Sequence, residues 1–463
     1  MSARKRAGSL PASIGVREVF VLAWPVMVSM LSRTAMTTAD TLFVARLGTG
    51  PLAAIGLASV ASFFGVALGM GLLGGVNVAV AHRTGSGDLR GVRDLWWQSM
   101  WLALGMGALV AASFWVGPWV FPALGAANAG TVEMASSYFA IRSLGAPLSF
   151  GMFALTAWLQ GRGDTRTPMV ATVLANVLNI ALDPLFIFGW GPVPAMGVAG
   201  AALTTNLSLA VGLFVLVAAT WKQAGDRVWP KRDLLAEIGR LGGPLAAWFG
   251  LDVFSFALFM SVLARAGEAE LAAHVVVIRI MSVSFLPGHA IGEASGVLVG
   301  QSLGAGRPTL ARQSWRSAAV LGAAFMTALG GVFLLFPEAL LSIFEVEGEV
   351  EAIGVRLMVV GALFQVLDAL AMTSLGSLKG AGDTRFTMFL GVATGWLIKL
   401  PLGAGLALFA GLGALGAWLG MTVEIAVLAA FGIWRIETGG WLRPWRRESQ
   451  VKRREERLAA AAK

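Results

Sequence analysis

The sequence predicts an all-α integral membrane protein with twelve transmembrane helices, arranged as two parallel repeats of six helices. Composition is the first reason: hydrophobic residues make up 57% of the 463 residues and charged residues only 13%, about half the charged share of a soluble domain. The second reason is an internal repeat that runs from Pro25 in the first half and from Pro244 in the second. A duplicated membrane unit suggests two helix bundles with a site between them.

Apolar runs recur along the chain, and each is long enough to cross the hydrocarbon layer as a helix of about 20 residues. The predicted spans are 17–43, 54–80, 95–120, 134–159, 168–190 and 198–221 in the first half, and 238–263, 271–299, 316–337, 355–378, 387–409 and 412–434 in the second. They define an amino-terminal lobe at 1–225, a carboxyl-terminal lobe at 226–437 and a basic tail at 438–463.

The repeat keeps one register through several motifs. RLGTGPLAA at 46–54 returns as RAGEAELAA at 265–273, and GRGDTR at 161–166 returns as GAGDTR at 380–385. Because six is an even number of spans, both copies insert in the same orientation. The two repeats are therefore parallel and related by an axis along the membrane normal.

Lys and Arg are distributed unevenly between the two sets of loops. The loops on the side of both termini carry most of them, whereas the opposite loops hold chiefly Arg46, Arg265 and Arg356, with several acids at 345–351. The positive-inside rule therefore predicts cytoplasmic termini. The net charge of +9 is explained by these loops and the tail, for which we expect contact with anionic lipids and not with nucleic acid.

Acidic residues inside the predicted spans are the candidate functional groups: Asp40, Asp183, Asp252, Glu293, Asp368 and Glu424. Each charge costs about 2.5–3.5 kcal/mol at the centre of a span, so these side chains should face a protein interior or a wet cavity. Asn176, Asn179 and Asp183 share one face of the fifth span, because they are three, four and seven residues apart.

Two further spans show similar polar stripes, which are Trp248, Asp252 and Ser255 on the seventh span, and Gln365, Asp368 and Met372 on the tenth. The alternative is that the acids only hold helices together by pairing with the basic residues of the spans, Arg33, Arg142, Arg279 and Lys399. This alternative suits the isolated acids Glu293 and Glu424 best. It suits Asp183 least, because two amides share its helix face.

The sequence lacks the usual signatures of an enzyme. It contains no HExxH motif and no GxxxxGK[ST] phosphate loop. His289 and Glu293 are four residues apart, yet no third ligand accompanies them. The absence of cysteine excludes disulfides and thiolate metal sites. We therefore predict no catalytic residues, no cofactor and no enzymatic activity.

Five segments occur in order and in register with the repeat: TTADTLFVARLGTGPLAAIGLAS (37–59), QGRGDTRTPMVATVLANVLNIALDPLFIFGWG (160–191), GVAGAALTTN (197–206), LAAHVVVIRI (271–280) and LKGAGDTRFT (378–387). In this combination the chain resembles the MATE family, the multidrug and toxic compound extrusion transporters, over nearly its full length. The resemblance implies two six-helix lobes around a V-shaped cleft. It also implies alternating access and antiport of organic cations against protons or sodium ions across the bacterial inner membrane.

The resemblance also implies roles for particular residues. Asp40, Asn179 and Asp183 match amino-lobe positions that couple cations, and Asp252 and Asp368 match the acids of the carboxyl lobe. A sodium ion is expected at one of these two groups if sodium is the coupling ion. The residues expected beside the substrate are Asn176, Thr204, Thr205, Gln365 and Met372.

Acids dominate the polar side chains within the spans, so we expect lipophilic organic cations as substrates, bound by a monomer. One rival is a lipid-linked oligosaccharide flippase of the same superfamily, which should line its cleft with cations. A major facilitator is disfavoured because HRTGSGDLRGVRD after the second span matches its loop motif poorly. A rival of another class is an intramembrane enzyme, for which the sequence offers no nucleophile or metal constellation.

Overall fold

The computed structural model describes residues 11–123 and 128–442, and this part of the chain is almost entirely helical. The α-helices are α1 Val16–Ala45, α2 Thr49–Ser86, α3 Leu89–Ala111, α4 Gly117–Ala123, α5 Ala129–Leu144, α6 Ala146–Gly161, α7 Arg166–Phe188, α8 Gly197–Ala224, α9 Arg232–Ala266, α10 Glu268–Gly304, α11 Pro308–Leu335, α12 Pro337–Ser342, α13 Glu349–Gly380, α14 Thr384–Thr394, α15 Leu400–Ala404 and α16 Gly413–Glu437. Two π-helical segments, Gly395–Lys399 and Gly405–Phe409, flank α15. The all-α prediction is confirmed.

Ten of the described helices are long and apolar enough to cross a membrane, with Thr384–Phe409 counted as one span, and the bent pair α5–α6 can form an eleventh. Every predicted span falls on one of these helices or on α3. Although α3 has 23 residues, enough to cross the hydrocarbon layer, it is not among these candidates. Arg90, Arg93, Asp94 and Gln98 interrupt its apolar sequence.

One predicted helix end and one predicted continuous helix are wrong. The third span, predicted at 95–120, ends at Ala111, and a separate short helix follows it. The fourth, predicted as one helix at 134–159, breaks at Gly145 with a bend of 47° between α5 and α6. Pro147 stands in the first turn of α6, where proline has no N–H to continue the hydrogen bonds of the preceding helix.

The described residues form two compact units. The amino-terminal unit consists of Pro25–Val80 and Asp88–Ala246, and the carboxyl-terminal unit consists of Ala81–Gly87 with the described residues before Pro25 and after Ala246. The lobe boundary after residue 225 stays a prediction. The tail predicted at 438–463 lies outside the described residues from position 443 onward.

Each unit has its own apolar core with buried tryptophans. Trp158 of the amino-terminal unit is fully buried and donates from its indole nitrogen to the carbonyl of Val92 at 2.8 Å. Trp418 of the carboxyl-terminal unit is likewise buried and donates to Nδ1 of His274 at 3.0 Å. Such bonds satisfy the polar end of a large apolar side chain, so both rings can anchor their helices.

Close packing of glycines joins α10 to α13 in the carboxyl-terminal unit. A Cβ atom on Gly380 would lie 2.0 Å from the carbonyl oxygen of Gly296, and one on Gly376 would lie 2.2 Å from that of Gly292. Glycines at this spacing let two helix backbones touch. The contact fixes α13, which carries Asp368, directly against α10.

Candidate functional site

The amino-terminal unit gathers its polar side chains around Asp183 of α7, which is fully buried. The hydroxyl of Thr204 on α8 donates a short hydrogen bond to Oδ1 of Asp183. The amide nitrogen of Asn179 lies 3.5 Å from the same oxygen and 3.4 Å from the hydroxyl of Thr204. One turn of helix separates Asn179 from Asp183, as the sequence spacing predicted.

Asp40 of α1 completes this group, because its carboxyl lies within hydrogen-bonding reach of the carboxyl of Asp183. Two carboxylates cannot donate to each other. Three buried oxygens, Oδ1 of Asp40, Oδ2 of Asp183 and Oδ1 of Asn179, have no hydrogen-bond partner within residues 11–123 and 128–442. Buried oxygens without donors are costly, and a shared proton or a small cation would satisfy them.

The other residues expected in this unit have different surroundings. The amide of Asn176 donates to the hydroxyl of Ser32 at 2.9 Å. Thr205 is buried, and its hydroxyl donates to the carbonyl of Ala201 in its own helix at 2.8 Å. Both residues therefore lie on the helices of the cluster while their hydrogen bonds go elsewhere.

Two residues near the cluster are not among the site residues that the sequence predicts. The positive charge of Arg142 on α5 acts on Asp40, and its guanidinium donates to Oδ1 of Asn206 at 2.5 Å. Tyr138, one turn earlier on α5, lies close enough to Asp40 and Asp183 to interact electrostatically with both carboxyl groups. An arginine inside a span is a recognisable signal of function, but its neighbours depend on the tertiary fold.

The carboxyl-terminal unit contains a second cluster, centred on a cation. Nζ of Lys399 lies 3.6 Å from Oδ1 of Asp252 on α9 and 3.6 Å from Oε2 of Glu424 on α16. The Lys399 side chain is only 8% exposed and that of Glu424 only 9%, whereas Asp252 is 53% exposed. From the sequence, Glu424 is a candidate functional group that helix packing would also explain, and Lys399 is a basic partner for such acids.

Asp368 of α13 lies beside this ion pair. It is buried and close enough to Glu424 for the two negative charges to repel each other. Its Oδ2 atom finds no hydrogen-bond partner in the described part of the chain. Gln365, one turn earlier, accepts a hydrogen bond from Ser284 of α10 at 2.6 Å. The predicted pair Asp252 and Asp368 thus belongs to one cluster, with Lys399 and Glu424 as additional members.

A cavity of about 380 Å³ opens beside Asp368, within the size range of small-molecule sites. Its lining residues are Phe285, Leu286, His289, Asp368, Met372 and Ile425. The wall is thus mainly apolar, with one carboxylate and one imidazole. Met372, which is predicted to lie beside the substrate, belongs to this wall.

Glu293 has a structural partner. It accepts a short hydrogen bond from the ammonium of Lys379, and Nε2 of His289 lies 3.8 Å away. The described residues contain no group of three or more His, Cys, Asp or Glu side chains that could hold a metal ion. The packing interpretation therefore suits Glu293, an isolated acid with a basic partner.

Comparisons with known proteins match most of the chain. A model of the MatE family matches residues 25–185 and 244–404, which have the same spacing as the internal repeat. The probable multidrug resistance protein NorM of Deinococcus radiodurans is 30% identical over 432 residues, covering 91% of this chain and 95% of that protein. The protein of the same description from Thermotoga maritima is 31% identical over 442 residues, covering 92% and 93%.

A solved structure is similar over the same length. It is described as the outward-facing conformation of a multidrug resistance MATE family transporter of the MOP superfamily. The TM-score is 0.84 at 25% sequence identity, with 91% of this chain and 96% of that chain covered. The matched stretches include Asp40 and Asp183 in the first copy and Lys399 in the second, whereas Glu424 lies beyond them.

Proposed function

Because the chain belongs to the MatE family of transporters, we propose that it exports lipophilic organic cations by antiport against protons or sodium ions. It is a multi-pass protein of a bacterial membrane, and as a transporter it is not an enzyme. The relatives from Deinococcus radiodurans and Thermotoga maritima are described as multidrug resistance proteins, which supports drugs as cargo. We further propose that it is a monomer of the inner membrane with both termini in the cytoplasm.

The observation that carries the proposal is the carboxyl pair of Asp40 and Asp183. The two groups lie within hydrogen-bonding reach of each other, and one oxygen of each lacks a donor among the described residues. Two negative charges at this distance repel strongly in a low-dielectric interior. One proton or one sodium ion relieves the repulsion, and its departure restores it. The pair therefore has the chemistry of a coupling site.

A membrane potential supplies enough energy for such a pump. One coupling cation that returns through a potential of about 150 mV releases about 3.5 kcal/mol, at about 2.3 kcal/mol per charge per 100 mV. At about 1.4 kcal/mol per decade, this supports an accumulation ratio of a few hundred. Export by this route needs no nucleotide, in keeping with the absence of a phosphate loop from the sequence.

The cavity beside Asp368 supports a lipophilic cation as the cargo. Its apolar wall would cover a hydrophobic body, and the carboxylate would attract a positive charge. The ring of Phe285 can add a cation–π contact of about 0.5–2 kcal/mol. Met372 has a flexible side chain that adapts to different shapes. These properties favour bulky monovalent cations bound without narrow selectivity.

The test is efflux of a fluorescent lipophilic cation from vesicles that contain the protein, with proton and sodium gradients imposed separately. We expect efflux in at least one gradient, and its loss in both Asp40→Asn and Asp183→Asn. Glu347→Gln, an exposed acid outside both clusters, is the control and should transport normally. Normal efflux in either aspartate variant would contradict the proposed coupling site. The absence of efflux from the unmodified protein in both gradients would contradict the function itself.

A further inference from the structure

We propose that the ammonium of Lys399 is a built-in counter-ion that takes the place of an alkali cation in the carboxyl-terminal unit, so that this unit binds no sodium. The inference rests on the proposed function, because it limits where sodium could act as the coupling ion. It assigns the carboxyl-terminal acids to Lys399 and to the organic cargo. Only the amino-terminal carboxyl pair is then left for a proton or a sodium ion.

The position of the ammonium is that of a bound cation. It lies 3.6 Å from a carboxylate oxygen of α9 and 3.6 Å from one of α16, and its side chain is almost completely buried. Ionisable residues within membrane spans pair with one another and mark ion or substrate pathways. Here the cation is the ammonium group of Lys399 itself, which is part of the chain.

The arrangement of the cluster explains why a second cation is disfavoured. Asp252, Asp368 and Glu424 contribute three carboxyl groups, and the described structure places the ammonium of Lys399 beside those of Asp252 and Glu424. A sodium ion needs several oxygen ligands. The nearest oxygens of Asp252 and Glu424 already face the ammonium, which would repel an added cation at short range. Asp368, whose Oδ2 atom is buried without a hydrogen-bond partner among the described residues, has no ion pair with Lys399 and lies on the wall of the apolar cavity.

The backbone makes room for this arrangement. Lys399 is the last residue of the π-helical segment Gly395–Lys399, and single π turns are frequent at functional sites. A Cβ atom on Gly395 would lie 3.4 Å from Oε1 of Glu424 and 3.8 Å from Nζ of Lys399. The cluster therefore packs directly against the backbone of the π segment.

The internal repeat has no lysine at the matching position of the amino-terminal unit. At the spacing of the matched stretches, the sequence counterpart of Lys399 is Ile180, and that of Asp252 is Arg33. The corresponding helix α7 is α-helical throughout. The amino-terminal unit therefore has acids without a lysine at the matching position, and the carboxyl-terminal unit has acids with one.

Equilibrium binding of radiolabelled sodium to the purified full-length protein tests the proposal. The background variant Asp40→Asn/Asp183→Asn removes the amino-terminal carboxylates, and we expect it to show no saturable sodium binding. Adding Lys399→Met should create saturable binding, and a further Glu424→Gln should remove it. Lys399→Arg, which keeps the positive charge, is the matched control and should bind no sodium.

Two results would overturn the proposal. One is saturable sodium binding by the background variant, in which the carboxyl-terminal cluster is unchanged and Lys399 is intact. The other is the absence of binding in a variant without the ammonium that elutes as a folded, monodisperse protein. Lys399→Gln provides the same test with a polar side chain if Lys399→Met is not recovered folded. Failure of the proposed function would appear as missing dye efflux from vesicles, whereas failure of this proposal would appear in the measurement of sodium binding.

Discussion

The buried ion pair between Lys399 and Glu424 should contribute measurably to the stability of the carboxyl-terminal unit. We propose a double-mutant cycle with Lys399→Met, Glu424→Gln and the combined variant, in buffers with choline in place of sodium. Two unit charges 3.6 Å apart attract each other by about 4–5 kcal/mol at an effective dielectric constant of about 20. The cost of removing both groups from water offsets much of this attraction.

The single variants should differ from the double variant. Lys399→Met leaves Glu424 buried without a counter-ion, and breaking a buried pair in this way costs about 3–5 kcal/mol. Glu424→Gln should cost less, about 1.5–3 kcal/mol, because the ammonium keeps Asp252 as a partner. The free energy of unfolding of the combined variant should lie within about 2 kcal/mol of that of the unmodified protein, because no unpaired buried charge remains from the pair.

The assay is unfolding of the purified protein in mixed micelles with increasing denaturing detergent, followed by the loss of helical circular dichroism. We expect a coupling energy of at least about 2 kcal/mol between the two positions. Asp252→Asn is the control, and its cost should be about 1 kcal/mol or less because that side chain is half exposed. Additive effects at positions 399 and 424 would refute the reasoning, and so would equal costs for Lys399→Met and Asp252→Asn.

Three further predictions concern packing, cargo and topology. Gly380→Ala should lower the free energy of unfolding by about 1–3 kcal/mol, because its Cβ would lie 2.0 Å from a carbonyl oxygen of α10. Gly331→Ala is the control, because a Cβ there meets open space, and it should not destabilise the protein. Equal stabilities of the two variants would contradict the close contact. Asp368→Asn should weaken binding of a cationic dye by about tenfold or more and leave a neutral analogue unaffected, and unchanged dye affinity would exclude Asp368 as its counter-ion. Accessibility tags should report a cytoplasmic 222–232 loop and an external 345–350 loop, and a shared location would contradict the predicted topology.

Helix identity was predictable because it depends on local composition. An apolar run of about 20 residues has few alternatives to a membrane helix, and each predicted span falls on a described helix. The break between α5 and α6 had a local signal in Pro147, but a proline alone does not distinguish a kinked helix from two helices. The bend depends on how the flanking segments pack.

The sites were predictable only in part. The approach of Asn179 to Asp183 follows from helical spacing, whereas the approach of Asp40 depends on how α1 packs and was inferred from the family resemblance alone. Lys399 and Glu424 belong to different elements, and neither stands in a recognisable motif. Their pairing depends on the fold of the whole carboxyl-terminal unit, which spacing within a single helix cannot reveal.

The π-helical segments also limit what can be learned by aligning the two repeats. The matched stretches keep a constant spacing through residue 404, yet Gly395–Lys399 contains a wider turn than the corresponding part of α7. A π turn takes up one more residue than an α turn, which amounts to about 100° of helical rotation. Beyond Gly395, aligned residues of the two copies therefore no longer point in equivalent directions. Duplicated helices can thus diverge in function through a change in winding, while their sequence alignment stays the same.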